Sequence, residues 1–354
     1  MTRVLLLARY SHKGASSRLR TLQYVDELSR RGFDFTIDSL LDDAYLDDLY
    51  AGRRVAWLPV VRAYGRRAAL RSSLDRYDAV WLEKEAFPWL PAIAERWLLR
   101  GDTPLVVDYD DAIFHRYDAH RSALVRRVFG DKIDAVMRAA AVVVAGNDYL
   151  ADRARRAGAG RIEIVPTAVD VDRYAVRELR EATTPFTIGW IGTPHTARYL
   201  VDIAAVLRRL AQARDVRFVF VGCPPGLELG IEYEARPWSE ATEVDDLRAF
   251  DVGVMPLRDA PFERGKCGYK LIQYMACGVP VVASPVGVNT TIVRPGTNGY
   301  LAATETQWCD ALEALRADAA RAREMGLRGR ALVEAQYSTR AVVARLEGIL
   351  RAPR

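Results

Sequence analysis

Short apolar runs alternate along the chain with stretches in which apolar residues recur every three or four positions, and this alternation runs through twice. Runs at 4–8, 33–37, 79–82, 105–107, 142–145 and 162–165 read as buried strands, and periodic stretches at 17–31, 87–99 and 122–138 read as helices between them. A second series follows, with strands at 186–191, 218–221, 252–255 and 281–283 and helices at about 196–211, 243–249 and 269–277. Helices at about 305–315, 319–336 and 339–350 close the chain. Such alternation predicts parallel sheets covered on both faces, so the fold class is α/β with two Rossmann-like domains. The expected boundaries are 1–170 for the first domain, a polar linker at 171–185, 186–336 for the second domain, and 337–354 as a C-terminal helix that can pack back towards the first. Two such halves are expected to face each other across a cleft at the carboxyl ends of their strands.

The stretch 262–287, FERGKCGYKLIQYMACGVPVVASPVG, concentrates the chemistry. It reads as a glycine-punctuated basic loop, a helix from Tyr269, a stop at Gly278 and a buried strand at 281–283. Lys266 and Lys270 are four apart, which on one helix is a single turn. The chain has 51 basic residues but only five lysines, Lys13, Lys84, Lys132, Lys266 and Lys270, so this pair stands out from an arginine-rich background. A compact ammonium at a helix start suits a diphosphate, although a solvated helix start is the plainer alternative. Gln273, one further turn along, can offer a donor and an acceptor to hydroxyls, or sit as a partly buried helix residue. Gly287, which ends the motif, counts among the substrate-binding candidates.

Three more candidate loops fall at strand ends. In SHKGASSRLR, at 11–20, Gly14 would let the backbone approach a ligand and Arg18 starts a helix, and a plain turn fits as well. VDYDDAIF, at 107–114, sets Asp108, Asp110 and Asp111 directly after a strand, where carboxylates can bind sugar hydroxyls, serve as a general base, hold a divalent cation or cap the next helix. GWIGTPHT, at 189–196, places Gly192 and Thr193 in a tight turn whose N–H groups can meet an anion. His195 in that loop reads as a capping or packing residue.

Half of the residues are apolar, yet no run is long enough to cross a bilayer. The apolar start runs straight into a polar glycine loop, so it reads as a first strand rather than a signal peptide, and the expected location is cytoplasmic. Four cysteines without paired spacing and four histidines support neither a disulfide frame nor a zinc site. Net charge is +5, but residues 1–172 hold 27 basic and 25 acidic groups, too even a balance for a nucleic-acid surface. One local exception is 51–76, where seven arginines meet only Asp75 among Trp57, Leu58, Val61 and other apolar residues. This stretch can lie on an anionic membrane or form a solvated helix with a core-facing stripe.

The run YKLIQYMACGVPVVASPVG followed by IVRPGTNGYL, with DVGVMPL before it and the closing helices after it, resembles the donor-binding domain of retaining glycosyltransferases of family 4, which have the two-domain GT-B fold. SHKGASSRLR and VDYDDA match the family's acceptor-domain loops more loosely. The resemblance implies transfer of a sugar from a nucleoside diphosphate sugar to a hydroxyl of a glycan, lipid-linked or small-molecule acceptor, in polysaccharide or glycoconjugate synthesis. It implies retention at the anomeric carbon, no protein nucleophile, no obligatory metal and no cofactor beyond the donor as co-substrate. By position it assigns Lys266 and Lys270 to the diphosphate, the backbone of Gly192 and Thr193 to the same group, Gln273 to the ribose and the loop at Gly14 to closure. The expected catalytic residues are Asp110, Lys266 and Lys270, and the expected substrate-binding residues are Gly14, Arg18, Asp111, Gly192, Thr193, Gln273 and Gly287.

Departures from the family pattern accompany it. The usual two glutamates eight residues apart fall on Gly265 and Gln273, with Glu263 the nearest acid. The usual basic pair after the first donor-domain strand is absent from GTPHTARYL, leaving Lys266, Lys270 and Arg198 for the diphosphate. Asp110 replaces a histidine that contacts the donor sugar. The expected activity is that of a glycosyltransferase at the inner face of the cytoplasmic membrane. The rival readings are a sugar-nucleotide epimerase of the same fold and an inactive nucleotide-sugar or glycan-binding protein.

Overall fold

The computed structural model describes residues 1–178 and 185–353, so positions 179–184 of the expected linker lie outside the described residues. The chain forms two compact units, one of Met1–Thr167, Gly265–Cys267 and Val342–Arg354, the other of Ala168–Arg264 and Gly268–Ala341.

The first unit is built on β1 (Thr2–Tyr10), β2 (Phe33–Leu41), β3 (Ala79–Glu83), β4 (Leu105–Tyr109), β5 (Val142–Ala145) and β6 (Ile162–Ile164). All pair in parallel, in the order β2-β1-β3-β4-β5-β6. Continuous Val, Leu and Ala runs make these strands because both faces of the sheet are covered: every residue of β3, β4 and β5 is buried. The order reverses between β1 and β3, so the carboxyl ends of those two strands flank the natural ligand crevice of this sheet. The C-terminal helix Thr339–Arg351 completes the unit from the far end of the sequence. Its Val342, Val343, Leu346, Ile349 and Leu350 are buried, Glu347 accepts a hydrogen bond from Arg31 at 3.1 Å, and Arg351 lies over the Phe33 ring at 4.9 Å.

The second unit carries β7 (Phe186–Ile191), β8 (Val216–Val221), β9 (Glu234–Arg236), β10 (Val252–Met255), β11 (Val281–Ala283) and β12 (Gly299–Leu301), in the parallel order β12-β11-β10-β7-β8-β9. Counted within the unit from the β9 edge this is 3-2-1-4-5-6, the order of nucleotide-binding sheets, with its reversal between β7 and β10. Gly189 and Gly253 are register partners on those two central strands. A Cβ on Gly189 would lie 2.0 Å from the Phe250 ring, and one on Gly253 would lie 2.3 Å from the Tyr274 ring. The missing side chains are thus the slots that two aromatic rings fill. Tyr274 then reaches further, accepting the Ile191 N–H at 3.0 Å and donating to the Val254 carbonyl at 3.3 Å, which ties the helix Tyr269–Ala276 to both strands at the reversal point.

Candidate active site

At the carboxyl edge of the first sheet, charged side chains from three strand exits form one buried network. Glu83 is fully buried and accepts the Arg9 N–H at 2.9 Å and the Ser17 hydroxyl, joining β1 to β3. The next residue, Lys84, adopts φ 65, and its N–H donates to the Asp108 carbonyl at 2.9 Å. Its ammonium lies 2.7 Å from Asp110 Oδ1 and donates to Ser16 Oγ, which in turn donates to Asp110 Oδ2 at 2.9 Å. Both oxygens of Asp110 are therefore engaged within the protein. Burial pushes this carboxyl up, but Lys84 and Arg20 outweigh it and hold Asp110 below the usual carboxylate range.

The other two carboxylates of the cluster behave differently. Asp108 is bound by Arg20 Nε at 2.8 Å, yet burial dominates and pushes its carboxyl up to about 6. Asp111 keeps 29% of its side chain exposed and lies 3.9 Å from the Lys266 ammonium. Burial, opposed by Lys266 and reinforced by Asp110, also raises it. Of the two aspartates expected at substrate, Asp111 is the one with an open side and the greater tendency to hold a proton.

Residues 265–267 belong to this network. Asn147, at the exit of β5, donates to the Gly265 carbonyl at 2.9 Å and to the Lys266 carbonyl at 3.1 Å, while its Oδ1 caps the helix Asp148–Ala157 through the Leu150 N–H. The Cys267 thiol donates to the Asp110 carbonyl at 3.0 Å, and burial pushes it up to about 12, so it packs rather than reacts. A Cβ on Gly265 would stand 2.4 Å from Ala112 Cβ, which explains why this position carries no glutamate. Lys266 and Lys270 are not on one helix face, contrary to their spacing. Gly268 adopts φ 66, the helix begins only at Tyr269, and Lys266 lies in the preceding loop.

In the second unit, the Gly192 N–H donates to the Val221 carbonyl at 3.0 Å and the Thr193 N–H to Thr196 Oγ1 at 3.0 Å. An anion at these amides would have to displace both partners. Lys270 holds its ammonium 5.6 Å from the centroid of Trp190. Gln273 is 4% exposed, and its amide donates to the Tyr174 hydroxyl at 3.2 Å. That hydroxyl donates to Glu243, whose other oxygen accepts Trp238 Nε1 at 2.7 Å. Gln273 is thus the end of a buried polar chain. Gly287 has φ 55 and packs where a Cβ would lie 2.5 Å from the Arg264 carbonyl. Glu263 accepts the Tyr199 hydroxyl and lies 3.6 Å from Arg198.

Gly14 packs its Cα side against Tyr10, where a Cβ would come within 2.3 Å, and Arg18 is buried with Nη1 on the His12 carbonyl at 3.2 Å. Both stabilise their own loop. In the basic stretch 51–76, Arg67 turns inward: it is fully buried, with Nε on Asp38 at 2.6 Å and further bonds to the Ala8, Asp38 and Ala86 carbonyls. Trp57, Leu58 and Val61 of the helix Trp57–Ala69 are exposed. Among the described residues no helix is long and apolar enough to cross a membrane, and no group of three or more His, Cys, Asp or Glu could hold a metal ion.

The family model for group 1 glycosyl transferases matches residues 185–318. This stretch is a group 1 glycosyl transferase domain. The glycosyl transferase match extends in known relatives. D-inositol 3-phosphate glycosyltransferase of Nocardia farcinica is 33% identical over 196 residues, 48% of this chain and 42% of that protein. The chain thus spans less than half the length of that curated relative. The protein of the same name from Xylanimonas cellulosilytica is 28% identical over 313 residues, 75% of this chain and 70% of that one. Among solved structures, sucrose-phosphate synthase from Thermosynechococcus elongatus superposes with a TM-score of 0.70 at 17% identity, covering 99% of this chain and 98% of that one. Anabaena HepE in complex with UDP and glucose gives 0.69 at 17% identity, covering 99% and 100%. At such identity these likenesses show the fold, which is GT-B.

Proposed function

We propose that the chain is a retaining glycosyltransferase moving a sugar from a nucleoside diphosphate sugar to a hydroxyl of a glycan, lipid-linked or small-molecule acceptor. The observation that carries this reading is the group 1 glycosyl transferase match over a sheet with nucleotide-binding strand order. Relatives named as glycosyltransferases and a structural neighbour solved with UDP and glucose support a nucleotide-sugar donor.

As the anomeric C–O bond to the diphosphate breaks, negative charge grows on the leaving group, and the ammonium groups of Lys266 and Lys270 stabilise that charge more than the ground state. The acceptor oxygen forms its bond on the same face, its proton passes to an oxygen of the departing diphosphate, and the anomeric configuration is kept. Asp111 orients the acceptor hydroxyl. Asp110, locked by Lys84 and Ser16, keeps the loop in shape rather than taking the proton. Turnover needs no metal or cofactor, so a chelator leaves the rate unchanged. The enzyme works in the cytoplasm, with the exposed Trp57, Leu58 and Val61 of its basic helix on the anionic inner membrane face.

A panel of nucleoside diphosphate sugars with glycan and lipid acceptors, followed by proton NMR, tests the reaction through the anomeric signal of the product. Lys270→Ala and Lys266→Ala should each lower kcat about a hundredfold while leaving the melting temperature unchanged. Full turnover in both variants would reject this assignment of the diphosphate site, and donor converted without acceptor would make the protein an epimerase.

A further inference from the structure

The loop at 265–267 is anchored at every residue within the first unit, to which it belongs although it lies in the middle of the glycosyl transferase domain. We propose that this anchoring presets Lys266 for the donor diphosphate, with Asn147 as a positioning residue and Asp111 as a stand-in that gives up the Lys266 ammonium when the diphosphate arrives. The proposal deepens the glycosyltransferase reading and rests on it.

Three contacts hold the backbone of the loop. Gly265 lies so close to Ala112 that a Cβ would meet Ala112 Cβ at 2.4 Å and its backbone N at 2.9 Å. The Cys267 thiol fills the space that a side chain on Gly146 would need, since a Cβ there would come within 2.3 Å of Sγ, and it donates to the Asp110 carbonyl at 3.0 Å. Between these two, the Asn147 amide donates to the Gly265 carbonyl at 2.9 Å and to the Lys266 carbonyl at 3.1 Å. Asn147 is buried and is held in turn by its other atom, Oδ1, which caps the helix Asp148–Ala157. Gly265 has no side chain and that of Cys267 is taken up by the Gly146 notch, so Lys266 is the one side chain this loop can offer to a ligand. Fixing a loop costs conformational entropy, and what the ordering delivers here is a single cation at a set place.

Distances decide which ion pair at this edge opens. Lys84 lies 2.7 Å from Asp110, the length of a charge-assisted hydrogen bond, whereas Lys266 lies 3.9 Å from Asp111, with 19% and 29% of the two side chains exposed. A diphosphate oxygen can approach the Lys266 ammonium about 1 Å closer than that carboxylate does, and it brings more charge. It therefore draws Lys266 away from Asp111 while Lys84 and Asp110 stay paired. The other charges acting on Asp111 are Asp110 and Lys84, which offset one another, and Arg116 on the helix His115–Asp118. Arg116 thus remains to balance Asp111 once Lys266 has turned to the phosphate. The released carboxylate is the one that orients the acceptor hydroxyl in the proposed reaction.

Isothermal titration of the full chain with UDP, GDP and ADP, each against its monophosphate, tests this at about pH 8, well above the ordinary carboxylate range. The wild type should bind one diphosphate about tenfold or more tighter than the matching monophosphate. Asn147→Ser keeps an oxygen for the helix cap but lacks the amide that reaches the two carbonyls. It should lose most of that preference, as Lys266→Ala does, with monophosphate affinity within about twofold of wild type and the melting temperature unchanged. Asp111→Asn should bind the diphosphate about threefold or more tighter, because Lys266 no longer has a carboxylate to leave. That gain should vanish in Asp111→Asn/Lys266→Ala. A diphosphate preference kept in Asn147→Ser overturns the positioning role, and a gain from Asp111→Asn that persists without Lys266 means plain repulsion of the phosphate and overturns the exchange. Equal affinity of the wild type for diphosphates and monophosphates overturns both. Binding rather than turnover is read, so sugar transfer alongside any of these failures leaves the glycosyltransferase reading standing, whereas the expected binding in a chain that transfers no sugar rejects that reading alone.

Discussion

Among described residues other than glycine, only Lys84 and Trp89 have positive φ, and both lie on the loop that leaves β3. A lysine in the left-handed region is strained by about 1 kcal/mol relative to glycine there, so the surroundings must hold it, and the contact with Asp110 at 2.7 Å is what holds it. Lys84→Ala should therefore cost roughly 3 kcal/mol in urea unfolding, because it leaves a mostly buried carboxylate without its cation. Lys84→Gly should cost about 1 kcal/mol less than Lys84→Ala, and equal losses would show that the backbone carries no strain. Asp108 tests the same network through pH. Its folded value of about 6 lies above the ordinary 3.9, so its ionisation opposes folding and its contribution to stability falls as pH rises from about 4 through 6. Asp108→Asn should thus gain on the order of 1 kcal/mol relative to wild type between pH 5 and pH 7.5. A difference that stays flat with pH would mean Asp108 is ionised throughout. The three aspartates were legible in the sequence because they follow an apolar run, but their division of labour was not. Lys84 was hidden in the run Glu83-Lys84-Glu85, which reads as a solvated charge cluster until its partner 26 positions later is known. Asn147 was hidden for the same reason, since its loop partners lie more than a hundred residues away.

The elements that the hydrophobic pattern found are those whose burial is local. Val252–Met255 and Val281–Ala283 match the runs read from sequence, and Gly278 with φ 68 stops the helix Tyr269–Ala276 as its position suggests. Long helices were broken where backbone chemistry overrode period. The stretch 122–138 splits into Ala123–Phe129 and Lys132–Ala139 around Gly130, and the expected helix at 87 starts at Ala92 because 87–90 form a turn closed by the Leu90 N–H on the Phe87 carbonyl at 3.1 Å, with Trp89 at φ 60, and Pro91 is the extended N-cap. The short edge strands β9 and β12 escaped notice, being three residues each and half polar or glycine-led. The helix Asp148–Ala157 escaped too, because its buried face is one leucine and three alanines set among five charged residues, so no large apolar side chains recur to mark it. Strand composition carried one more constraint that period alone does not express, the paired glycines of β7 and β10. Gly189→Ala places a methyl 2.0 Å from the Phe250 ring and should cost about 2 to 3 kcal/mol, partly restored by Phe250→Leu. If the double variant is no more stable than Gly189→Ala alone in urea unfolding, the slot has another purpose.

At the scale of the whole chain, the two units are not two consecutive stretches. The first unit takes back Gly265–Cys267 from the middle of the glycosyl transferase domain and also includes Val342–Arg354, so its fold is finished only when the segment from Val342 onwards has been made. The helix Thr339–Arg351 supplies five side chains exposed by 3% or less, Val342, Val343, Leu346, Ile349 and Leu350. At about 1.5 kcal/mol or more for each buried aliphatic side chain, its removal forfeits on the order of 7 kcal/mol, comparable with the ~5–15 kcal/mol that holds a domain folded. The ion pair of Glu347 with Arg31 is lost as well, but at the surface it adds little. The second unit keeps its own six-stranded sheet and the aromatic packing of Phe250 and Tyr274 against β7 and β10, none of which uses residues beyond Ala341. A chain ending at Ala341 should therefore lose hydrogen-exchange protection across β1 to β6 while β7, β8, β10 and β11 remain protected, and its nucleotide-induced thermal shift should survive in the second unit. Uniform loss of protection in both sheets would mean that the two units fold as one cooperative body, and unchanged protection in β1 to β6 would mean that the terminal helix is dispensable to the unit it completes.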